Sequence, residues 1–289
     1  MKKILFILVS LSIFLVSCED VIDIELEQGT PFLVVDAFLN DKAQNQKVRI
    51  TQSAPYFENV PAKGMTGATV NVSDGLGRSF NFVDQGNGDY VLPINAADSL
   101  PFAIVGNYYK LEIKYNGETY SSEALLNRTA PIDSIFATFQ TNSFAGPDDA
   151  KDGYAIDLKS IDPLGEGDTY WFKVYRNDTL LNRPSNIVLA FDAAFGPGSD
   201  NIQFIPPIIF GLTPRLYQKG EKAKVEIHSI SPLTYQWLFE AQSQMTNGGL
   251  FATPPYNIKT NIKNSTTDKT KQAIGWFDIS SVSTAEIVF

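Results

Sequence analysis

Between Phe32 and Leu126, apolar and polar residues alternate in short runs. A period of two puts successive side chains on opposite faces of an extended chain, so each run predicts a half-buried strand. The runs are Phe32–Leu39, Lys47–Ser53, Ala68–Asp74, Ser79–Asp84, Asp89–Ile94, Tyr108–Tyr115 and Thr119–Leu126. Turn residues separate them: Asp74-Gly75, Gly86-Asn87-Gly88, Gly106-Asn107 and Asn116-Gly117. Asn-Gly between alternating runs predicts a type I′ hairpin, because both central residues of that turn need positive φ. About seven short strands in roughly 100 residues is the size of an immunoglobulin-like sandwich, here without its Cys–Trp–Cys signature.

The stretch Asn127–Ser134 reads as a seam, since Pro131 lies between two strand-like runs and favours extended backbone before it. Alternation then resumes at Ser134–Gln140, Gly153–Ser160, Thr169–Asn177, Asn186–Phe191, Lys222–Ile230 and Gln272–Ile279, and Glu286–Phe289 could close the sheet. One segment has another period. Ser231 is placed as an N-cap, Pro232 as the first helical residue, and Gly248-Gly249 as the stop. Leu233, Trp237, Leu238, Ala241 and Met245 would form its apolar stripe, read as core packing rather than a ligand box. The expected fold class is therefore all-β: two β-sandwich (immunoglobulin-like) domains over residues 31–127 and 131–289, with one short helix near 231–247 in the second. No solenoid or propeller period recurs.

The N-terminus obeys a different pattern. Lys2 and Lys3 precede a mostly apolar run from Ile4 to Val16, and Glu19, Asp20 and Asp23 follow at once. A basic start and a run this short read as a secretory signal over residues 1–17. A spanning helix needs about 20 apolar residues to cross roughly 30 Å of hydrocarbon. Leu15-Val16-Ser17-Cys18 looks like a bacterial lipobox, with an aliphatic residue three before the cysteine and a small residue at the cut. The thiol of Cys18 would carry a diacylglycerol and its freed amine a further acyl chain. Each buried methylene adds about 0.8 kcal/mol of membrane affinity. The competing reading is a buried cysteine in an ordinary signal peptide. Residues 18–30 form an acidic tether, either a solvated linker or an export signal for the cell surface.

Composition then narrows the chemistry. Cys18 is the only cysteine, which excludes an internal disulfide and any zinc site built from several cysteines. The net charge is −9, and more negative without Lys2 and Lys3, which argues against nucleic acid as a partner. His228 is the only histidine, and a lone histidine on a strand predicts a surface or edge position. No G-x-S-x-G elbow, H-E-x-x-H, Walker loop or dinucleotide fingerprint is present. Asp162, Glu166 and Asp168 could supply a carboxylate pair, against the plainer reading of a solvated Gly/Pro turn. The loop Gly146–Gly153 has some calcium-ligand character, but Ala150 and Lys159 depart from the EF-hand pattern. No catalytic residue, metal site or cofactor is expected.

The segment Asp192–Leu212 carries Pro206-Pro207 inside an apolar stretch, which does not suit a central strand. Phe204, Ile205, Ile208, Ile209 and Phe210 either fold back as core or form a partner-contact loop.

Several stretches taken in order carry a resemblance: "CEDVIDIE", "FLVVDAFL", "VRITQSAPYF", "GATVNVSDG", "GNYYKLEIKYNGETYSSEA", "APIDSI", "DPLGEGDTYWFKVYRND", "VEIHSISPLTYQWL" and "AIGWFDISS". The chain resembles bacterial lipoproteins grouped as domain of unknown function 4249, which commonly occur beside TonB-dependent outer-membrane receptors. The resemblance implies an outer-membrane lipoprotein of two β-rich domains and assigns no catalytic residue. Related bacteria O-glycosylate exported proteins at Asp-Ser/Thr followed by an aliphatic residue. Matches begin at Asp98, Asp133 and Asp178, and Thr179 is the best candidate. The resulting expectation is a surface-exposed lipoprotein, anchored in the outer membrane through Cys18. It would serve as a non-catalytic accessory or binding subunit of a TonB-dependent nutrient uptake system. The alternative is a carbohydrate-binding or adhesive surface module with a glycan or peptide ligand. A third reading is a hydrolase acting through Asp162, Glu166 or Asp168.

Overall fold

The computed structural model describes residues 30–289 apart from 55–59, 95–100, 143–145, 147–149, 192–210, 250–251 and 267. The chain divides into Met1–Thr30 and the compact unit Pro31–Phe289, and the fold described below is that of the second. It is all-β with one described α-helix.

The expected alternation builds the first sheet. β1 (Leu33–Asn40), β2 (Gln46–Gln52), β3 (Thr69–Asp74), β4 (Ser79–Asp84), β5 (Asp89–Leu92), β6 (Tyr108–Tyr115) and β7 (Glu118–Leu125) follow the predicted runs closely. In β1, Leu33, Val35, Ala37 and Leu39 are buried while Asp36 faces out. Asn116 and Gly117 turn β6 into β7 with φ of 48° and 81°, the geometry that type I′ demands.

The second set comprises β8 (Ile132–Thr141), β9 (Asp152–Ser160), β10 (Thr169–Arg176), β11 (Thr179–Leu180), β12 (Val188–Phe191) and β13 (Lys222–Ile230). The helix α1 (Pro232–Met245) follows, and then β14 (Lys263–Asn264), β15 (Ala273–Ser280) and β16 (Val282–Val288). The Ser231 hydroxyl accepts from the Thr234 N–H, and Pro232 opens the helix, as its sequence predicts. The buried stripe is Thr234, Leu238 and Ala241. Leu233 and Met245, expected in that stripe, are 68% and 56% exposed. The helix packs against a narrow seam, so the flanks and last turn of the apolar pattern stay in water.

The sheets interleave in sequence. The first runs β14-β7-β6-β3-β4-β5-β2-β1-β15, so two strands C-terminal to the 127–131 seam join the N-terminal set. β15 lies parallel to β1 from Leu33↔Ala273 to Asn40↔Ser280. The backbones approach closely at Val35↔Gly275, where an added Cβ would sit 2.0 Å from the Val35 carbonyl oxygen. The second sheet runs β11-β10-β13-β16 with β12 also on β10, and β8–β9 forms a separate hairpin.

Each sheet has its own core. Val35, Ile50, Val72, Leu111, Ile113 and Phe277 sit in the first. Ile156, Leu158, Tyr170, Phe172, Val225 and Ile227 sit in the second, beneath the β8–β9 hairpin. A buried side chain of this size contributes about 1.5–3 kcal/mol. Phe289 stacks on Tyr217 at 4.6 Å and joins this second core.

The outer edge of β15 is covered by a side chain. The Asn261 amide donates to the Phe277 carbonyl at 2.7 Å and accepts from the Phe277 N–H at 2.9 Å. It thereby does what a neighbouring strand would do, and it links the β14 end of the sheet to the β15 end in a barrel-like closure. Asn261→Ala strands both backbone groups of a fully buried residue, at roughly 1–3 kcal/mol each. Urea unfolding is expected to show a clearly lower midpoint for Asn261→Ala with an unchanged slope. An unchanged midpoint would mean that the edge does not depend on this amide.

Candidate functional site

The strand faces that do not feed the two cores meet each other. Alternation turns Asp36 and Phe38 of β1, and Trp276 and Asp278 of β15, away from the first core. It turns Trp171 and Lys173 of β10, and Glu226 and His228 of β13, away from the second. The helix α1 adds Thr234 and Trp237. Phe38 meets Trp171 at 5.5 Å and Trp237 at 6.1 Å, and Trp237 stacks on Trp276 at 5.3 Å. All three tryptophans of the chain therefore gather in this one layer. The Trp276 indole N–H donates to the Thr234 hydroxyl at 2.8 Å.

Charged groups fill the rest of the layer. The Lys173 ammonium lies 4.0 Å from the Trp171 ring centroid, a cation–π contact. His228 is 5% exposed, not at the surface or edge as a lone strand histidine suggests. The facing sheet covers it, and its ring lies 6.3 Å from that of Trp171. Its Nε2 is 3.2 Å from a Glu226 carboxylate oxygen, and Glu226 also accepts from Tyr175 and from Lys224, each at 2.9 Å.

Burial sets the protonation of these groups. It pushes His228 down to about 4, helped by the Lys173 charge and opposed by Glu226. It lowers Lys173 to about 8 against the pull of Glu226, Asp36 and Asp278. Burial would raise Glu226, but hydrogen bonds from His228, Lys224 and Tyr175 hold it at about 2. Asp278 is 1% exposed and raised by burial to about 7. Thr234, the Ile279 and Ser231 N–H groups and Lys173 offset part of that rise, yet neither carboxylate oxygen closes a hydrogen bond. Asp36 keeps one flank open to water, yet enough protein surrounds it to raise its carboxyl too. A neutral imidazole, a carboxyl that titrates near neutrality and a weakened ammonium thus share one layer, a pattern found at proton-handling sites and in structural polar seams alike.

The two sheets join at one end of this layer. Ser281 alone separates β15 from β16, so the chain passes from one sheet to the other in a single residue. Asp41 accepts from the Ser281 hydroxyl at 2.7 Å and the Val282 N–H at 3.0 Å. The Ser229 hydroxyl donates to the Asn127 carbonyl at 2.7 Å, pinning the chain just after β7 beside this crossing.

The remaining sequence-based candidates fall elsewhere. Asp162 accepts from the Tyr170 hydroxyl at 2.6 Å. Asp168 is held by Arg128 at 2.7 Å, and Arg128 also donates to the Gly165 carbonyl. Glu166 stays exposed. Asp162 and Asp168 thus fasten this loop to Tyr170 and Arg128. Thr179 is exposed in β11, directly after the turn at Asn177 and Asp178, whose φ values are 48° and 64°. Cys18 and Phe204, Ile205, Ile208, Ile209 and Phe210 lie outside the described residues. Among the described residues no group of three or more His, Cys, Asp and Glu could hold a metal ion. The layer is hard to see in the sequence because its members sit on four strands and a helix, with β1 far from the rest in sequence. The clustering of Trp, Lys and Asp on outward strand positions was its only signal.

Asp278 and His228 make opposite contributions to the pH dependence of stability. Asp278 has a raised folded pKa, so between about 4 and 7 it favours the fold as pH falls. His228 has a lowered one, so between about 4 and 6.5 it disfavours the fold as pH falls. In the native chain the two therefore oppose each other between about pH 4 and 6.5. Asp278→Asn is expected to lose stability between pH 6.5 and 4 relative to wild type, and His228→Gln to gain it, as read by urea midpoints along a pH series. Parallel profiles for all three proteins would rule out the two groups as the source.

No curated protein matches the chain. A protein-family model does, over residues 19–286, and its description is Domain of unknown function (DUF4249). The match takes in every strand of both sheets up to Glu286, the helix and all members of the inter-sheet layer, and the chain belongs to this family.

Proposed function

We propose that this protein is an outer-membrane lipoprotein, anchored through Cys18 and exposed at the cell surface. It acts there as a non-catalytic accessory or binding subunit of a TonB-dependent nutrient uptake system. The observation that carries the reading is Cys18 itself, the only cysteine, set behind Leu15-Val16-Ser17 at the end of a basic and apolar leader. Acyl chains at one terminus hold a protein firmly without any spanning element. The acidic stretch that follows serves as the tether, and the family match begins at residue 19 within it. Among the described residues no helix is long and apolar enough to cross a membrane. The accessory role follows from the usual neighbourhood of the family. The engagement of Asp162 and Asp168 with Tyr170 and Arg128 supports a non-catalytic reading of that loop.

Two measurements test the two halves of this reading. Cys18→Ala should move the protein out of the outer-membrane fraction and abolish labelling by a fatty-acid probe. Retention of both would refute the anchor. A C-terminally tagged wild-type copy, extracted gently from native outer membranes, should bring a TonB-dependent barrel with it in stoichiometric amount. Recovery of the lipoprotein alone would remove the accessory role and leave the anchor standing.

A further inference from the structure

The β8–β9 hairpin carries an edge that the other described residues leave open. Asn142 N–H donates to the Lys151 carbonyl at 2.6 Å, which fixes the phase of the ladder. Phe136, Thr138 and Gln140 therefore direct their backbone groups to β9. On the far side of β9, Tyr154 exchanges backbone hydrogen bonds with Tyr217 at 2.9 and 2.8 Å, in agreement with that phase. The N–H and C=O groups of Ile135, Ala137, Phe139 and Thr141 then point outward, and among the described residues no backbone group meets them. Among the described residues the start of the strand is held, where the Ile132 N–H donates to the Ser283 hydroxyl.

An open edge of this length is a template for another strand, and proteins usually blunt it with lysine, proline or a covering segment. β15 has such a cover in Asn261. β8, Ile132–Thr141, has neither lysine nor proline, and its one charge is Asp133. Phe136 and Phe139 on it are 44% and 62% exposed.

We propose that β8 pairs edge to edge, antiparallel, with the β8 of a second copy of this chain. The order of residues selects that occupant. A two-fold axis at Ala137 sets Ile135 opposite Phe139 on both sides, and Phe136 opposite Thr138. Apolar and β-branched or aromatic pairs of this kind stabilise adjacent strands. Asp133 falls opposite Thr141, so no like charges meet, although the chain as a whole is acidic. The same axis brings together Ile135, Ala137 and Phe139, the residues whose backbone groups point outward. An axis at Phe136 or Thr138 would also match outward groups, but the first sets Asp133 opposite Phe139 and the second sets Ile135 opposite Thr141, so each loses the Ile135–Phe139 pairs. The product is a four-stranded sheet, β9-β8-β8-β9, with isologous two-fold symmetry. Its formation depends on neither the lipid anchor nor the transporter.

Site-specific cross-linking tests the register. Residues paired at the axis have Cα atoms about 5.5 Å apart, inside the range a disulfide spans. The full-length chain with Ala137→Cys, in mild detergent under a mild oxidant, should give a covalent dimer well above that of wild type, whose only cysteine is Cys18. Gln140→Cys should not, because its counterpart lies six positions away along the strand, about 20 Å at the usual rise per residue. Thr138→Lys added to Ala137→Cys should suppress the dimer, since it opposes Phe136 and its own copy lies nearby. A yield for Ala137→Cys no higher than wild type would overturn the proposal. So would equal cross-linking by Gln140→Cys, which would indicate random encounter.

Discussion

The rest of the structure depends on one short crossing. β15 completes the first sheet beside β1, and β16 completes the second beside β13, with only Ser281 between them. A chain that spends one residue between two sheets cannot let them drift apart. Asp41 fixes the crossing through two charge-assisted hydrogen bonds, to a hydroxyl and to an N–H. The outward faces of β1, β15, β10 and β13 are thereby pressed together, and whatever side chains they carry must share one layer.

That layer combines apolar rings with ionisable groups, and the two kinds of contact act differently. Phe38, Trp171, Trp237 and Trp276 supply area and shape across the sheets. Asp36, Lys173, Glu226, His228 and Asp278 supply specificity, because a slip of either sheet would leave buried charge without compensation. Asp278 is the least satisfied of them, with no hydrogen bond to either oxygen. Replacing such groups by apolar ones is often neutral for stability, so their presence points to register or to function more than to cohesion.

Local structure was legible in the residues, and long-range pairing was not. Alternation located β1 to β7 because one face of each is buried and the other is not. Asn116-Gly117 announced its hairpin because few residues accept positive φ. Ser231 and Pro232 announced α1 for similarly local reasons. By contrast, the parallel pairing of β15 with β1 joins residues 240 positions apart, from Leu33 to Ala273, and leaves no local mark. His228 read as a surface residue because a strand histidine normally faces water; the facing first sheet that buries it is invisible from its neighbours. The loop carboxylates Asp162 and Asp168 were visible as a cluster, but their partners Tyr170 and Arg128 could be assigned only in three dimensions.

If the Ser281 crossing and the layer beside it make the two sheets a single cooperative unit, both must open together. Hydrogen exchange by mass spectrometry under native conditions reads this directly, on peptides from β1 and β6 in one core and from β10 and β13 in the other. The account predicts one shared free energy of opening for the slowest amides of all four strands, falling by the same amount in both sheets when Asp41 is replaced by Ala. Two distinct opening energies, with Asp41→Ala loosening only one sheet, would show two independent domains on a tether and contradict it.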